Sequence, residues 1–282
     1  MARAARQPHF VIIGAVKAAT TWIAHQLRSQ PTVFLPTAEP HYFSSEYGRG
    51  AAWYSGLFTD AGNDQVIGEK SADYLAHPAA AGRLAQDLPR ARLIVQLRNP
   101  IDRAYSDYCM LFRRGTVDAE IEQHLGNGGA GGSNQPRFLV DGLYRQHLAR
   151  VLDHFPAEQL QIILFEDIRT KPEATLQQVV KHIGLATQLY PIAIDERQND
   201  SRAPMLPLAM RRFMAPIKPM VAPLRHNSLF TAVHRRLARP VVYPPLTSDL
   251  RLRLRDYYAD DVRELGRLIG RDLRPWLAVG TR

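Results

Sequence analysis

The stretch HFVIIGAVKAATT spans His9 to Thr21 and indicates how the chain folds. Residues His9 to Gly14 form an apolar, β-branched run that ends in glycine, which is typical of a buried strand. From Thr20 to Ser29 the apolar residues follow helical rather than alternating spacing. The pattern therefore predicts a strand, a tight loop and a helix.

The loop between this strand and helix has a composition that suits an anion. Backbone N–H groups and the positive end of the helix dipole converge at such a junction, and Lys17 adds a charge beside the hydroxyls of Thr20 and Thr21. It is not a Walker A loop, which needs Gly-Lys-Ser/Thr after a four-residue spacer. On this pattern alone, a phosphate site and an ordinary turn with a solvated lysine both stay open.

Strand and helix patterns alternate along the next part of the chain, which predicts a parallel sheet built from β-α-β units. The strands are predicted at Val66-Ile67, Arg92 to Leu97 and Leu160 to Phe165, and the helices at Pro78 to Leu88, Ile101 to Arg113, Phe138 to Phe155, Lys171 to Gly184 and Thr247 to Gly270. We expect an α/β protein with a P-loop-like three-layer fold, in which helices flank a central, mostly parallel sheet. Residues 1–282 are predicted to form one domain.

Two segments interrupt this alternation. The Gly-rich segment 126–136 predicts a loop, and the Pro/Arg-rich segment 203–245 predicts short helices wrapped on the core. Each is a candidate for part of an acceptor cleft (126–133 and 202–239), and each is equally compatible with a surface insertion.

Composition limits the class of protein. Of the 282 residues, 45% are hydrophobic and 22% are charged, which excludes disordered and fibrous chains. The net charge of +9 suits an anionic ligand or a solvated arginine excess, and the basic clusters do not alternate with aromatic residues as in a nucleic-acid platform. A single cysteine, Cys109, and no apolar run approaching about 18 residues favour a cytoplasmic protein without a membrane span. Peripheral membrane contact and the oligomeric state stay undetermined.

Four motifs, IIGAVKAATTWI, LRNPIDRAYSDY, EPHYF and GEKSADYL, resemble segments of the sulfotransferases that use 3′-phosphoadenosine 5′-phosphosulfate (PAPS). The first, IIGAVKAATTWI, is similar to their 5′-phosphosulfate loop, and LRNPIDRAYSDY, from Leu97 to Tyr108, is similar to their 3′-phosphate segment. EPHYF, from Glu39 to Phe43, and GEKSADYL, from Gly68 to Leu75, match the bacterial and heparan-sulfate-type branch. Later segments are similar as well, so the resemblance covers nearly the whole chain. It implies transfer of a sulfuryl group to a hydroxyl or amino group of a carbohydrate or small metabolite.

The resemblance implies a set of donor-binding residues. Lys17 would lie beside the 5′-phosphate and the bridging oxygen, where its charge stabilises the leaving group. Arg98 and Ser106 would bind the 3′-phosphate, for which the arginine fork is well suited. The backbone of the loop would hold the 5′-phosphate through Ala18, Ala19, Thr20 and Thr21. Glycine is frequent in the family at the position of Ala19. Because alanine adopts fewer backbone conformations than glycine, the sequence does not determine the conformation of the loop at this point.

The same resemblance implies the catalytic residues. Glu39 matches the catalytic base, and a carboxylate can act so if burial raises its pKa. His41 would orient the acceptor or share the proton, and Lys70 would be a second cation at the sulfuryl group, with neighbouring Glu69 available to pair with it. Without the resemblance, the sequence is equally compatible with Glu39 as a solvated loop residue and with His41 as a packed residue beside Tyr42 and Phe43. We expect no metal, because no Cys/His cluster has metal-ligand spacing.

Two other functions are compatible with parts of the sequence. A nucleotide kinase with a divergent loop would use ATP and magnesium, and the missing Gly-Lys-Ser/Thr argues against it. A basic module that binds anions or glycans without turnover would have no need of Glu39.

Overall fold

The computed structural model describes residues 6–126, 135–185, 204–205 and 238–278. Its centre is a sheet of five parallel strands in the order β2-β3-β1-β4-β5. The strands are β1 Phe10–Gly14, β2 Val33–Phe34, β3 Val66–Lys70, β4 Arg92–Leu97 and β5 Leu160–Leu164. The predicted parallel sheet is confirmed.

Helices follow the strands along the chain. They are α1 Thr20–Arg28, α2 Gly50–Gly56, α3 Ala80–Asp87, α4 Pro100–Arg114, α5 Ile121–Leu125, α6 Gln135–Leu139, α7 Tyr144–Leu152, α8 Phe165–Thr170, α9 Pro172–His182, α10 Ser248–Ile269 and α11 Arg274–Leu277. Single 3₁₀ turns occur at Tyr47–Arg49, Val140–Gly142 and Ala157–Gln159.

The sheet separates two apolar layers, because successive side chains of a strand point to opposite faces. Val11 and Ile13 of β1 belong to a large core cluster with residues of α3, α4, α7 and α10. Phe10 and Ile12 belong to a second cluster with residues of α1 and α9. The predicted three-layer arrangement is therefore present.

Gly14 at the end of β1 allows the chain that follows β3 to pass very close. A Cβ atom on Gly14 would lie 2.6 Å from Cβ of Leu75, and the residue has a φ of 156°. Just beyond it, the N–H of Ala15 donates to the carbonyl of Gln96 in β4 at 2.7 Å. The loop after β1 is thereby held between the segments that leave β3 and β4.

The predicted helix from Phe138 to Phe155 is wrong as a single element. The structure has α6, a 3₁₀ turn and then α7. The break lies at Gly142, where a Cβ atom would lie 2.9 Å from the Tyr258 ring. The hydroxyl of Tyr258 donates to the carbonyl of Leu139 at 2.9 Å and so occupies an acceptor at the end of α6.

Smaller differences concern strand ends. β3 runs on to Lys70 rather than stopping at Ile67, and β5 stops at Leu164, where α8 begins at once. The segment 126–136 is described only at its ends. The prediction of wrapped helices for 203–245 lies mostly outside the described residues. Of that segment, Met205 and Arg239 form an antiparallel bridge, and the Pro244 carbonyl accepts from Tyr105 of α4 at 2.9 Å. Among described helices, none has the length and apolarity needed to span a bilayer.

Candidate active site

Three chain segments with polar side chains meet at one edge of the sheet. Because β3, β1 and β4 are adjacent and parallel, their carboxyl ends lie side by side. Lys17 follows β1, Lys70 ends β3 and Arg98 follows β4. The fold therefore brings together the three cations that the sequence predicted for the site.

The loop after β1 has the backbone of a glycine-rich loop although it lacks glycine. Lys17 has a φ of 68° and Ala19 a φ of 69°, in the left-handed region that favours glycine. Two side chains from the β4 segment hold this shape. Nη1 of Arg98 donates to the Lys17 carbonyl at 3.2 Å, and Nε2 of Gln96 donates to the Ala18 carbonyl at 3.4 Å.

Helix α1 begins directly after this loop and aims its first amides at it. Thr20 and Thr21 are the first helical residues, and first-turn N–H groups have no acceptor within their own helix. The Ala18 amide already donates to the Ala15 carbonyl at 3.2 Å. The N–H groups of Thr20 and Thr21 are therefore better placed than that of Ala18 to bind an anion.

The Lys17 ammonium is largely withdrawn from water. Burial lowers the pKa of this side chain, as do the charges of Arg98, Arg114 and Arg137, while Asp107 acts in the opposite direction. Its Nζ atom lies 3.7 Å from Sδ of Met110. Within the described part of the chain no carboxylate forms an ion pair with it. An ammonium in this situation favours a bound anion.

Arg98 and Ser106 lie on the third segment. Burial lowers the pKa of Arg98, and its guanidinium carbon lies 4.8 Å from the centroid of the Phe165 ring. The Arg98 carbonyl accepts from the hydroxyl of Tyr144 at 3.0 Å, which fixes the backbone at this point. Ser106 is half-buried on α4. Next to it, the buried Asp107 accepts two hydrogen bonds of 2.8 Å from Arg137 of α6.

Glu39 and Lys70 form the closest ion pair at this edge. Nζ of Lys70 lies 2.7 Å from Oε1 of Glu39, and the two side chains are only 10% and 30% exposed. The other carboxylate oxygen of Glu39 accepts from the Ala72 amide at 2.9 Å. The ammonium of Lys70 also donates to Oγ1 of Thr21 at 3.3 Å. One lysine thus connects the predicted base to the predicted phosphate loop.

His41 is held beside this pair. Its ring Nδ1 lies 2.8 Å from Oδ1 of Asp73, and its backbone N–H donates to Oγ of Ser71 at 2.9 Å. The second oxygen of Asp73 accepts from Ser44 at 2.6 Å. The backbone of His41 has a φ of 51°. The arrangement fixes both the ring and the backbone of His41.

The expected pairing of Glu69 with Lys70 is wrong. Neighbouring residues of a strand point to opposite faces, so Glu69 enters the apolar core while Lys70 points toward α1. Glu69 is fully buried and accepts from the hydroxyls of Tyr54, Ser71 and Tyr74. Burial raises the pKa of Glu69 to about 8, and the three hydroxyls act in the opposite direction.

Sequence reasoning assigned no role to Asp73 or Ser71, which the structure places against His41. The available signal was their position in GEKSADYL, next to Lys70. Glu39, His41 and Asp73 also bring one potential metal ligand each within 4.8 Å of one another. The two carboxylates of this group already have partners within the protein. Glu39 forms an ion pair with Lys70, and Asp73 accepts a hydrogen bond from Ser44.

Comparisons with known proteins indicate the family to which the chain is related. A model of the "Sulfotransferase family" matches residues 49–188. Heparan sulfate glucosamine 3-O-sulfotransferase 3B1 of Mus musculus is 32% identical over 180 residues, covering 63% of this chain and 46% of that protein. Bifunctional heparan sulfate N-deacetylase/N-sulfotransferase 3 of Mus musculus is 30% identical over 293 residues, covering 96% of this chain and 31% of that protein. The chain thus spans less than half the length of these curated relatives.

Solved structures share the fold. The crystal structure of a sulfotransferase from Alicyclobacillus acidocaldarius superimposes with a TM-score of 0.72, covering 97% of this chain and 100% of that one at 24% identity. The matching family model and the relatives of similar sequence, on a fold that places Lys17, Arg98 and Lys70 at one sheet edge, show that the chain is a member of the sulfotransferase family.

Proposed function

We propose that the protein transfers the sulfuryl group of PAPS to a hydroxyl or amino group of a carbohydrate acceptor. The observation that carries the proposal is the double contact of Lys70. Its ammonium lies 2.7 Å from Glu39 and 3.3 Å from Thr21. A donor bound at the loop and an acceptor activated by Glu39 would therefore meet at the same cation.

The described residues fit such a donor. The first amides of α1 point at the loop, and Lys17 is a partly buried cation. These features suit the 5′-phosphate. Arg98 and Ser106, on the adjacent segment, supply a guanidinium and a hydroxyl for the 3′-phosphate. When bound, PAPS would supply the sulfuryl group and a phosphate as its leaving group.

The side chains divide the chemistry between them. Glu39 accepts the proton of the acceptor hydroxyl while the acceptor oxygen bonds to sulfur. The bond between sulfur and the bridging oxygen breaks, and the ammonium of Lys17 stabilises the negative charge that develops on the phosphate. Lys70 stabilises the equatorial sulfuryl oxygens, and its pairing with Glu39 fixes the base. His41, held by Asp73, orients the acceptor.

The acceptor class follows from the relatives rather than from a described cleft. Their names specify sulfation of heparan sulfate, on glucosamine oxygen in one and on nitrogen in the other. For this chain we infer a carbohydrate acceptor, with the sulfated atom set by the groups in front of Glu39 and His41.

The direct test is turnover with defined donors and acceptors. Purified protein is incubated with PAPS and a panel of glucosamine-containing oligosaccharides, and the release of adenosine 3′,5′-bisphosphate (PAP) is measured. Binding of PAP is measured separately by calorimetry. We expect acceptor-dependent PAP release. If PAP does not bind and no acceptor stimulates its release, the proposal is wrong.

The Glu39→Gln variant separates chemistry from binding. The isosteric amide cannot take the proton, so turnover should fall by about 10²–10⁴-fold. PAP affinity should stay close to that of the wild type, because no donor contact is removed. Full turnover by Glu39→Gln would mean that another group is the base.

A further inference from the structure

Glu69 is a buried carboxyl group bound by three hydroxyls. Oε1 accepts from Tyr54 at 2.9 Å, and Oε2 accepts from Ser71 at 3.2 Å and from Tyr74 at 3.3 Å. The residue lies in β3 and has no exposed surface. It is not part of the donor or acceptor contacts proposed above.

The residues that supply these hydroxyls each contact a different residue of the segment 41–43. Oγ of Ser71 accepts from the His41 amide at 2.9 Å, and the hydroxyl of Tyr74 accepts from the Phe43 amide at 3.2 Å. Between them, the Tyr42 ring stacks on Tyr54 with centroids 4.3 Å apart and an interplanar angle of 12°. Every residue of 41–43 is thus one contact removed from Glu69.

The backbone of this segment needs such support. His41 has a φ of 51°, in a region that residues with a side chain adopt at a cost of about 1–2 kcal/mol. Such a conformation persists only where the surroundings fix it. The two amide contacts, at His41 and Phe43, lie on the strained residue and two positions beyond it.

We propose that Glu69 is a positioning residue of the transfer reaction, whose three hydroxyl partners hold the segment 41–43 and so set the geometry of Glu39 and His41. The inference deepens the function proposed above and rests on it. Glu69 acts on Glu39 and His41 indirectly, through Ser71, Tyr54 and Tyr74, which contact residues 41–43. It also directly precedes Lys70, the ion-pair partner of Glu39.

The proton positions are consistent with this role. Ser71 and Tyr74 each accept from a backbone amide, so each uses its own proton to donate to Oε2 of Glu69. When the carboxyl group is protonated, Oε1 carries the proton and donates to the Tyr54 hydroxyl. A glutamine can reproduce this pattern, since its carbonyl accepts twice and its NH₂ group donates to Tyr54.

A purely structural role would not require a carboxyl group here. Transfer of a polar group into an apolar core costs free energy, and a leucine would fill much of the same space without that cost. Glu69→Leu removes the three hydrogen bonds, and Glu69→Gln preserves them. Ile67→Ala, two residues earlier on the same face of β3, is a control that disturbs core packing without removing a hydrogen bond to Glu69.

The experiment reads the segment directly by hydrogen-exchange mass spectrometry. Peptides that cover 41–43 are compared with peptides that cover β4, alongside PAP release and PAP binding. In Glu69→Leu, exchange at 41–43 should accelerate by about tenfold or more while β4 stays protected. If the proposed function holds, kcat should fall by about tenfold or more with the KM for PAPS nearly unchanged. In Glu69→Gln and in Ile67→Ala, exchange at 41–43 and kcat should both stay close to the wild-type values.

Several results would overturn the inference. These are unchanged exchange at 41–43 in Glu69→Leu, equal effects of the leucine and glutamine variants, or the same pattern in Ile67→Ala. If Glu69→Leu fails to fold, the double variant Ser71→Ala/Tyr74→Phe keeps the carboxyl group, removes both amide contacts and carries the same expectation. A different combination would refute the proposed transfer but uphold the support of the segment by Glu69. In that case Glu69→Leu accelerates exchange at 41–43, but the wild-type protein releases no PAP with any acceptor.

Discussion

Lys70 forms a 2.7 Å ion pair with Glu39, although the two residues lie 31 positions apart and in different segments. Both are largely shielded from solvent, so the pair belongs to the interior of the site rather than to the surface. The pair joins the residue proposed as base to a cation proposed to stabilise the sulfuryl group.

Replacement of Lys70 should therefore reduce chemistry more than binding. In Lys70→Ala, we expect kcat to fall by about 10²–10³-fold, the usual loss when one preorganised donor is removed from a developing charge. PAP affinity, measured by calorimetry, should change little. The matched control is Lys181→Ala, an exposed lysine on α9, which should behave as the wild type. A large loss of PAP affinity in Lys70→Ala would instead place this lysine at the donor phosphates.

Arg98 should distinguish nucleotides by their 3′-phosphate. A hydrogen bond to a charged group contributes about 1.5–3 kcal/mol, so Arg98→Ala should weaken PAP binding by about 10- to 150-fold. AMP, which lacks the 3′-phosphate, should bind the variant and the wild type alike. Since Arg98 also donates to the Lys17 carbonyl, an equal loss for both nucleotides would indicate that its main role is to hold the loop.

Removal of divalent metal should leave transfer unchanged. The carboxylate of Glu39 is already paired with Lys70, and that of Asp73 contacts His41 and Ser44. In the proposed reaction, Lys17 and Lys70 supply the positive charge. PAP release is measured after dialysis against EDTA and again after addition of Mg²⁺ or Zn²⁺. Loss of activity in EDTA that a metal restores would show that Glu39, His41 and Asp73 act as ligands.

Asp107 should be important for stability. It has no exposed surface and receives Arg137 at 2.8 Å through two hydrogen bonds and the buried Arg103 at 3.6 Å. Asp107→Ala leaves these guanidinium groups without their carboxylate and should lower the free energy of unfolding by about 3–5 kcal/mol. Urea denaturation measures the change. Asp256→Ala, an exposed carboxylate, should change it by less than about 0.5 kcal/mol.

Glu69 should make stability depend on pH. Burial raises its pKa to about 8, so between the pKa of the unfolded chain and this value the folded state retains a proton that the unfolded chain releases. The contribution is complete at acidic pH and declines as the pH rises from about 5 to about 8. Glu69→Gln, which does not titrate, should lack this decline. Parallel pH profiles for the two proteins, from urea denaturation, would contradict the raised pKa.

The sequence predicted the elements whose signals are local. The apolar run before Gly14, the lysine after it and the arginine after RLIVQL each occur at the end of a strand. Parallel strands align those ends, so the meeting of Lys17 and Arg98 could be anticipated from the order of elements alone. Helix α10, with Thr247 as its N-cap and Gly270 just past its end, was predicted for the same reason.

Features that depend on contacts between distant segments could not be predicted from local sequence patterns. The break at Gly142 depends on Tyr258, which lies in a helix far along the chain. β2 has only two residues, too few for a period to show, and it is defined by pairing with β3. The Glu39 and Lys70 pair likewise depends on how the segment after β2 folds back over the end of β3.

Two adjacent residues show where the division falls. The sequence by itself predicted, through a family motif, that Lys70 is a cation of the site, and it predicted Glu69 as a possible ion-pair partner. The tertiary structure extends β3 through both residues and thereby sends their side chains to opposite faces of the sheet. Lys70 reaches Glu39 and Thr21 at the start of α1, whereas Glu69 enters the core and accepts hydrogen bonds from Tyr54, Ser71 and Tyr74. Residue chemistry is encoded locally, but the face on which a side chain acts is decided by strand pairing and packing.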